Sequence, residues 1–378
     1  MTLLPKGIVM SKKILAAGHI CLDITPVFPA VVRGRTIDAL LRPGKLVHME
    51  GADVHTGGSV ANTGLALKLL GNEVSLLGKI GKDAFGQMVK NIVASYGAGG
   101  LIEDAASSTS YSVVLAVPGF DRIFLHNPGA NDSFSNDDIP EEALEDAVLF
   151  HFGYPPLMRR MYADGGEKLV RMFRRVKAHG IATSLDLAAV DPHSEAGHAD
   201  WRGILRAVLP YVDFFEPSFE ELCFMLDRER YDRLNRGGDM TDGLDLCAEA
   251  LPLAREVIGM GCRAVLIKCG TGGMAYRTAE AEAIRTVGER PPLDADAWAD
   301  KEGIQPCFRA DIVRSGTGAG DTSIAAFLTA VLRGYSPAEC AAFAAAEGAC
   351  SVTAYDALSG LRPLEELERR IRSGWAAM

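Results

Sequence analysis

The chain has cysteines but no pattern that pairs them. Cys21, Cys223, Cys247, Cys262, Cys269, Cys307, Cys340 and Cys350 are scattered through 378 residues with no CxxC among them. That spacing argues against a zinc site or a disulfide framework and fits incidental thiols in a reducing cytosol. No run reaches the ~20 apolar residues that a membrane-spanning helix needs. Lys12-Lys13 before "ILAAGHICL" faintly imitates a signal peptide, but His19 interrupts the run and Asp23 ends it, so a first core strand is expected. An excess of basic charge is also missing. The formal net charge is −10, which argues against broad binding to nucleic acid or to anionic membrane. An anionic ligand would need a local site. There is no internal repeat and no low-complexity tract. A cytoplasmic globular protein is expected, with 48% hydrophobic and 23% charged residues, and its length suits one large α/β domain spanning 1–378.

The order of segments supports that class. "KKILAAGHICLDITP" reads as a strand ending in a polar turn, and "GGSVANTGLALKLLG" as a loop feeding a helix closed by Gly71. "VSLLGKIG" is a strand and "DAFGQMVKNIVASYG" a helix, while "TSYSVVLAVPGFDRIFLHNPGAN" reads as a hairpin about Pro118-Gly119. From about residue 146 strands and helices alternate regularly, which implies a mostly parallel sheet covered on both faces. The stretches at about 25–56 and 105–127 look like strands inserted outside that sheet. Two polar stretches, "DRERYDRLNRGGDMTDGLD" and "GERPPLDADAWADKEGIQP", are expected to be surface loops.

In open parallel sheets ligands bind beyond the carboxyl ends of the strands. The polar residues at those ends are Asp23, Gly57-Gly58 with Asn62, Asp186, Ser218 with Glu221, Gly270–Gly273 and Gly316–Asp321. "GTGAGD" before an apolar helix can present several backbone N–H groups at a helix N-terminus, an arrangement suited to phosphate. Asp321 at that helix start reads equally as a cap or as a base for an attacking hydroxyl. No GxxxxGK[ST] occurs, and a GxGxxG starting at Gly316 fails because Asp321 stands where glycine is required.

"GTGAGDTSIAAFLTAVLRG" resembles the carboxyl-terminal motif of the PfkB, or ribokinase-like, carbohydrate kinases. "GGSVANTGLALKLLG" with "LLGKIGKDAFG" resembles their amino-terminal motif, and "GHICLDI" and "IKCGTGGMAYR" resemble other landmarks in the same order. The resemblance implies a ribokinase-like three-layer α/β fold with a small β lid. It also implies ATP- and magnesium-dependent phosphorylation of a hydroxyl on a sugar or nucleoside. Asp321 matches the family's base and Gly318, Ala319 and Gly320 its anion hole. Asp23, Gly57, Gly58 and Asn62 match acceptor-binding positions. Gly270, Gly272 and Gly273, with Lys268 and Thr317 beside the phosphates, match the nucleotide site. Two departures stand out. Ser218 replaces Asn in the family's Asn-x-x-Glu, which orders magnesium through water, leaving Glu221 as the principal candidate and Ser218 as a secondary one. Ser315-Gly316 replaces Asp-Thr, which leaves potassium activation open. Lids in the family often pair across a dimer, so a homodimer through the lid is expected. Acceptor specificity is expected in the lid and in residues such as His55, Tyr111, His126, His151 and Tyr154. A catalytically idle sugar-binding relative and a dinucleotide-dependent oxidoreductase are the rival classes.

Overall fold

The computed structural model describes residues 13–33, 36–120, 122–235, 239–288, 290–291 and 293–378; Lys12 of the signal-like run lies outside them. Strand β1, Lys13–Gly18, is buried from Ile14 onward. Its side chains alternate, with Ile14 and Ala16 entering one apolar cluster and Leu15 and Ala17 the other. A strand buried on both faces requires helices on both faces.

The remaining strands, in chain order, are β2 (Cys21–Val27), β3 (Gly51–Gly57), β4 (Glu73–Gly81), β5 (Ile102–Asp104), β6 (Tyr111–Leu115), β7 (Ile123–Asn127), β8 (Ala147–Gly153), β9 (Ala182–Leu185), β10 (Phe214–Phe215), β11 (Ala264–Lys268), β12 (Met274–Thr278) and β13 (Glu302–Gln305). Nine form one sheet in the order β13-β12-β11-β10-β9-β8-β1-β4-β5, parallel except where β12 pairs antiparallel with β11 and β13. The other four form a second sheet, β3-β2-β6-β7; β2 starts at Cys21, ahead of the first inserted stretch, so the polar turn expected around Asp23 is instead strand paired with β3, and the remaining strands come from the two stretches. Its β6–β7 pair is the expected hairpin.

The longer helices are α1 (Ser59–Leu69), α2 (Ala84–Ser95), α3 (Glu167–Ala178), α4 (Trp201–Val208), α5 (Phe219–Leu226), α6 (Leu246–Gly259), α7 (Ala319–Leu332), α8 (Pro337–Ser351) and α9 (Leu364–Arg372). Apolar residues of α1, α2, α7, α8 and α9 join Ile14 and Ala16 in one core, and those of α3 to α6 join Leu15 and Ala17 in the other. The molecule is therefore a three-layer α/β structure with a separate four-stranded sheet. Among the described residues no helix is long and apolar enough to cross a membrane.

The expectation of surface loops in the two polar stretches is corrected. Arg228–Leu234 of the first is helical. The second supplies β13 at the edge of the main sheet and a buried Trp298, whose indole donates to the Tyr335 carbonyl at 3.1 Å. The Trp298 ring meets Phe214 and Phe327 edge-on, with centroids 5.8 and 6.5 Å away. One aromatic in a polar run thereby clamps this segment to α7, the helix that starts at Asp321's turn. Residues 236–238, 289 and 292 of these stretches lie outside the described residues.

Candidate active site

Helix α7 starts from Gly318, which has φ 73° and lies so close to Ala357 that a Cβ would overlap it. Only glycine meets both conditions without strain. Asp321 follows in the first turn and is buried, at 5% exposure. Its carboxylate does not cap its own helix. Instead Asn62 Nδ2 donates to Oδ2 at 3.0 Å and Thr63 Oγ1 donates to Oδ1 at 3.1 Å. The Tyr154 hydroxyl lies 2.8 Å from Oδ1 and 2.9 Å from Oδ2. Asn62 and Thr63 belong to the first turns of α1, and Tyr154 follows the carboxyl end of β8. Two separate elements thus converge on one carboxylate carried by the first turn of a third.

A second cluster faces the same turn. Lys268, at the end of interior strand β11, is bonded through Nζ to Asp186 Oδ1 at 2.8 Å. Its side chain lies 3.7 Å from where a Cβ on Gly320 would be. Burial drives the Asp186 carboxyl up to about 8, with Glu221 and Asp321 adding to the rise and Lys268 opposing it. Lys268 loses stability as a charge on burial, but Asp186, Glu221 and Asp321 outweigh this and hold its proton more tightly than usual. Glu221 also closes a capping box with Ser218: its Oε2 accepts from Ser218 N at 2.7 Å, and Ser218 Oγ accepts from Glu221 N at 3.2 Å. Ser218 thus has a full structural role.

On the other side of Asp321 the second sheet brings Asp23, Cys21, Ser112 and His126 toward Tyr154. Cys21 Sγ donates to Asp23 Oδ1 at 3.2 Å, and burial raises the Asp23 carboxyl above its ordinary range. Gly57 lies flat against Asp23, where a Cβ would overlap the carboxylate. Gly58, the residue before α1, lies equally close to His19. His126 Nδ1 meets Ser112 Oγ at 3.0 Å, and its Nε2 meets His19 Nε2 at 3.3 Å. Burial pushes both imidazoles toward the neutral form. The His19 ring centroid is 6.0 Å from that of Tyr154. A band of neutral donors and acceptors therefore runs from Asp23 to His19, whose ring lies beside that of Tyr154.

Other expected residues fall differently. Gly270 and Gly272 form a short 3-10 turn after β11, while Gly273 lies against the backbone of Gln305 and Pro306, so β13 accounts for that glycine. Thr317 is tied to Ser315, with its N–H 3.1 Å and its hydroxyl 2.8 Å from Ser315 Oγ. His151 is not available for acceptor contact. It is buried between Ser59 Oγ (3.2 Å) and Ser184 Oγ (2.7 Å), and burial drives its pKa down to about 3. Tyr111 packs edge-on against Phe85. His55 is exposed on β3. Thr63 and the Lys268–Asp186 pair were not singled out from sequence. Thr63 could have been found as the neighbour of Asn62 in the same helical turn; Asp186 and Lys268 each stand out in the sequence, as a strand-end acid and as a nucleotide-site candidate, but nothing there pairs them.

A model of the pfkB family carbohydrate kinases matches residues 26–363. The chain belongs to this family. Fructokinase-2 of Oryza sativa subsp. japonica is 28% identical over 194 residues, which is 50% of this chain and 56% of the rice protein. The match thus spans little more than half of that relative's length. Fructokinase with bound ATP from Xylella fastidiosa is similar in structure, with a TM-score of 0.70, 21% identity, and coverage of 96% of this chain and 99% of that one. A putative ribokinase II from E. coli, in complex with ATP and Mg2+, has a TM-score of 0.68 at 20% identity, covering 96% and 100%. The fold is ribokinase-like.

The Lys268–Asp186 pair sets a pH-dependent stability. Lys268→Met leaves Asp186 without its cation in a buried site, a loss of about 3–5 kcal/mol when the acid must carry its charge. The folded-state affinity of Asp186 for a proton exceeds that of an unfolded aspartate, so the stability it supports is lost as pH rises through about 8. Urea unfolding should therefore show a larger penalty for the variant at pH 9 than at pH 6. Equal penalties at the two pH values would contradict the pairing.

Proposed function

We propose that the protein is an ATP-dependent kinase that transfers the γ-phosphate to a hydroxyl of a sugar or related small molecule, with Asp321 as general base. The observation that carries this reading is the Asp321 carboxylate, buried in the first turn of α7 and held by Asn62, Thr63 and Tyr154. In the reaction, Asp321 takes the proton of the acceptor hydroxyl as its oxygen attacks the γ-phosphorus. The new P–O bond forms as the bond to the β-bridging oxygen breaks, and ADP leaves. We assign the backbone N–H groups of Gly318, Ala319 and Gly320 to the charge on the transferring group, where such donors act most strongly; the Ala319 N–H gives up the Gly316 carbonyl, 3.3 Å away, to serve there. Lys268, Gly270, Gly272, Gly273 and Thr317 serve the nucleotide. Asp23, Gly57, Gly58 and Asn62 serve the acceptor, whose hydroxyls a carboxylate and an amide can engage.

Charge supports a divalent cation. Asp186, Glu221 and Asp321 share the one ammonium of Lys268, so a bare triphosphate would enter a site rich in carboxylates. Among the described residues no group of three or more His, Cys, Asp or Glu side chains could hold a metal by itself. That fits magnesium, which is commonly bound by one or two carboxylates together with the phosphates. Glu221, with Ser218, would hold it through water, and its contribution when bound is to neutralise phosphate charge. The Ser315–Thr317 turn closes on its own hydroxyls, and we assign no potassium ion to it. The second sheet acts as a lid that excludes water. Its edge strand β7 exposes Phe124 and Leu125 and pairs two copies as a homodimer. A single-chain mass by sedimentation velocity would sink that assignment.

Asp321→Asn should lower phosphoryl transfer by roughly 10²–10⁴-fold, the usual contribution of a general base. Mg-ATP binding, followed by calorimetry, should persist. Near-normal turnover in the purified variant would exclude the assignment of the base.

A further inference from the structure

Tyr154 has three features that a passive wall residue does not need. Its hydroxyl lies within hydrogen-bond distance of both oxygens of Asp321, at 2.8 and 2.9 Å. Its backbone is left-handed, with φ 67° and ψ 42°, immediately before Pro155. That conformation is costly for a side chain bearing a Cβ, and such strain collects at functional sites. The turn is fixed on both sides: Tyr154 N donates to the Asp186 carbonyl at 3.4 Å, and Leu157 N donates to the Tyr154 carbonyl at 3.0 Å. The phenol is aimed at the carboxylate by a strained turn that the fold holds in place.

The carboxylate it meets is already occupied. A carboxylate offers about four acceptor sites. Asn62 takes one on Oδ2, Thr63 takes one on Oδ1, and Tyr154 spans the remaining face of both oxygens. Desolvation, then the charges of Asp321 and Asp186, keep the phenol protonated well above the usual tyrosine range, so it remains a donor. An incoming hydroxyl that leaves the Asn62 and Thr63 bonds in place reaches Asp321 by taking the place of Tyr154.

We propose that Tyr154 is a positioning residue that gates the base: it occupies Asp321 until an acceptor displaces it, and so suppresses phosphoryl transfer to water. The inference rests on the reading of Asp321 as the base. A sugar brings further hydroxyls to the band from Asp23 to His126, and that remote binding energy can be used to displace the phenol. Water has one oxygen and no remote contacts, so it competes poorly. The suppressed side reaction is hydrolysis. Water would give its proton to Asp321, its oxygen would bond to the γ-phosphorus, the bond to the β-bridging oxygen would break, and ADP and inorganic phosphate would leave.

The test needs only Mg-ATP. ADP release without acceptor is compared in wild type, Tyr154→Phe (Y154F), Asp321→Asn (D321N) and the double variant. Loss of a hydrogen bond to a charged group corresponds to about a tenfold effect, so Y154F should release ADP about tenfold faster than wild type. The double variant should fall back to the D321N rate, because the gain depends on Asp321. A Y154F rate at or below wild type, or a gain that persists in the double variant, overturns the proposal. A spectroscopic comparison covers the case in which Y154F does not fold. D321N should change the tyrosine near-ultraviolet circular dichroism of the otherwise wild-type protein, and an unchanged tyrosine signal overturns the contact itself. The failures are separable. If wild type transfers phosphate and D321N does not, an unresponsive Y154F strikes the gate alone. If none of the four proteins binds or hydrolyses Mg-ATP, the kinase reading fails and the gate with it.

Discussion

Burying a carboxylate is costly unless its oxygens are hydrogen-bonded, and the Asp321 carboxylate meets that condition by drawing donors from outside its own helix. Asn62 and Thr63 reach it because α1 packs beside α7 in the same apolar layer. Tyr154 reaches it because β8 ends beside β1, where the backbone N–H of His19 donates to the Gly153 carbonyl at 3.2 Å. The positions of α1, α7 and β8 are thus tied to one side chain. The same constraint fixes the carboxylate one turn into α7, directly after the glycine turn at Gly318–Gly320.

Around that centre the charge balance is uneven, and burial sharpens it. Lys268 is the cation shared by Asp186, Glu221 and Asp321. Beneath them His151 is neutral and bonded to Ser59 and Ser184, and Ser184 in turn donates to Glu216 at 2.9 Å. The protonation of Glu216 is likewise favoured by burial. The layer under the site therefore adds no fixed positive charge. On the function proposed above, helix-terminus N–H groups, Lys268 and a metal ion carried by the nucleotide would offset its phosphate charge there.

Much of this was legible from the chain. Alternating strands and helices gave the main sheet, and the two broken β-rich stretches gave the second one. The glycines before Asp321 marked the helix start, and at Gly318 the left-handed φ of 73° and the close approach to Ala357 account for the residue type. Other features leave no such trace. Tyr154 stands out in the sequence only as a candidate for acceptor specificity, and its contact with Asp321 depends on a left-handed backbone that residue type does not signal. Lys268 is expected beside the nucleotide, but its pairing with Asp186, 82 residues away, leaves no local signal. Trp298 and β13 were hidden in a polar run, since a single indole anchors that segment and periodicity cannot register one residue. Ser218 and Glu221 show the opposite limit. Their spacing fits both a capping box and a metal-ordering pair, and the box is made.

The central claim is that this site joins a phosphate to an acceptor hydroxyl. It is tested most directly by incubating the wild-type protein with Mg-ATP and, separately, D-fructose, D-ribose, D-gluconate and adenosine. Phosphorus NMR then follows the product. The account predicts a phosphate monoester on one of the sugars, formed in equal amount with ADP. ATP binding without any ester from the whole panel would contradict it.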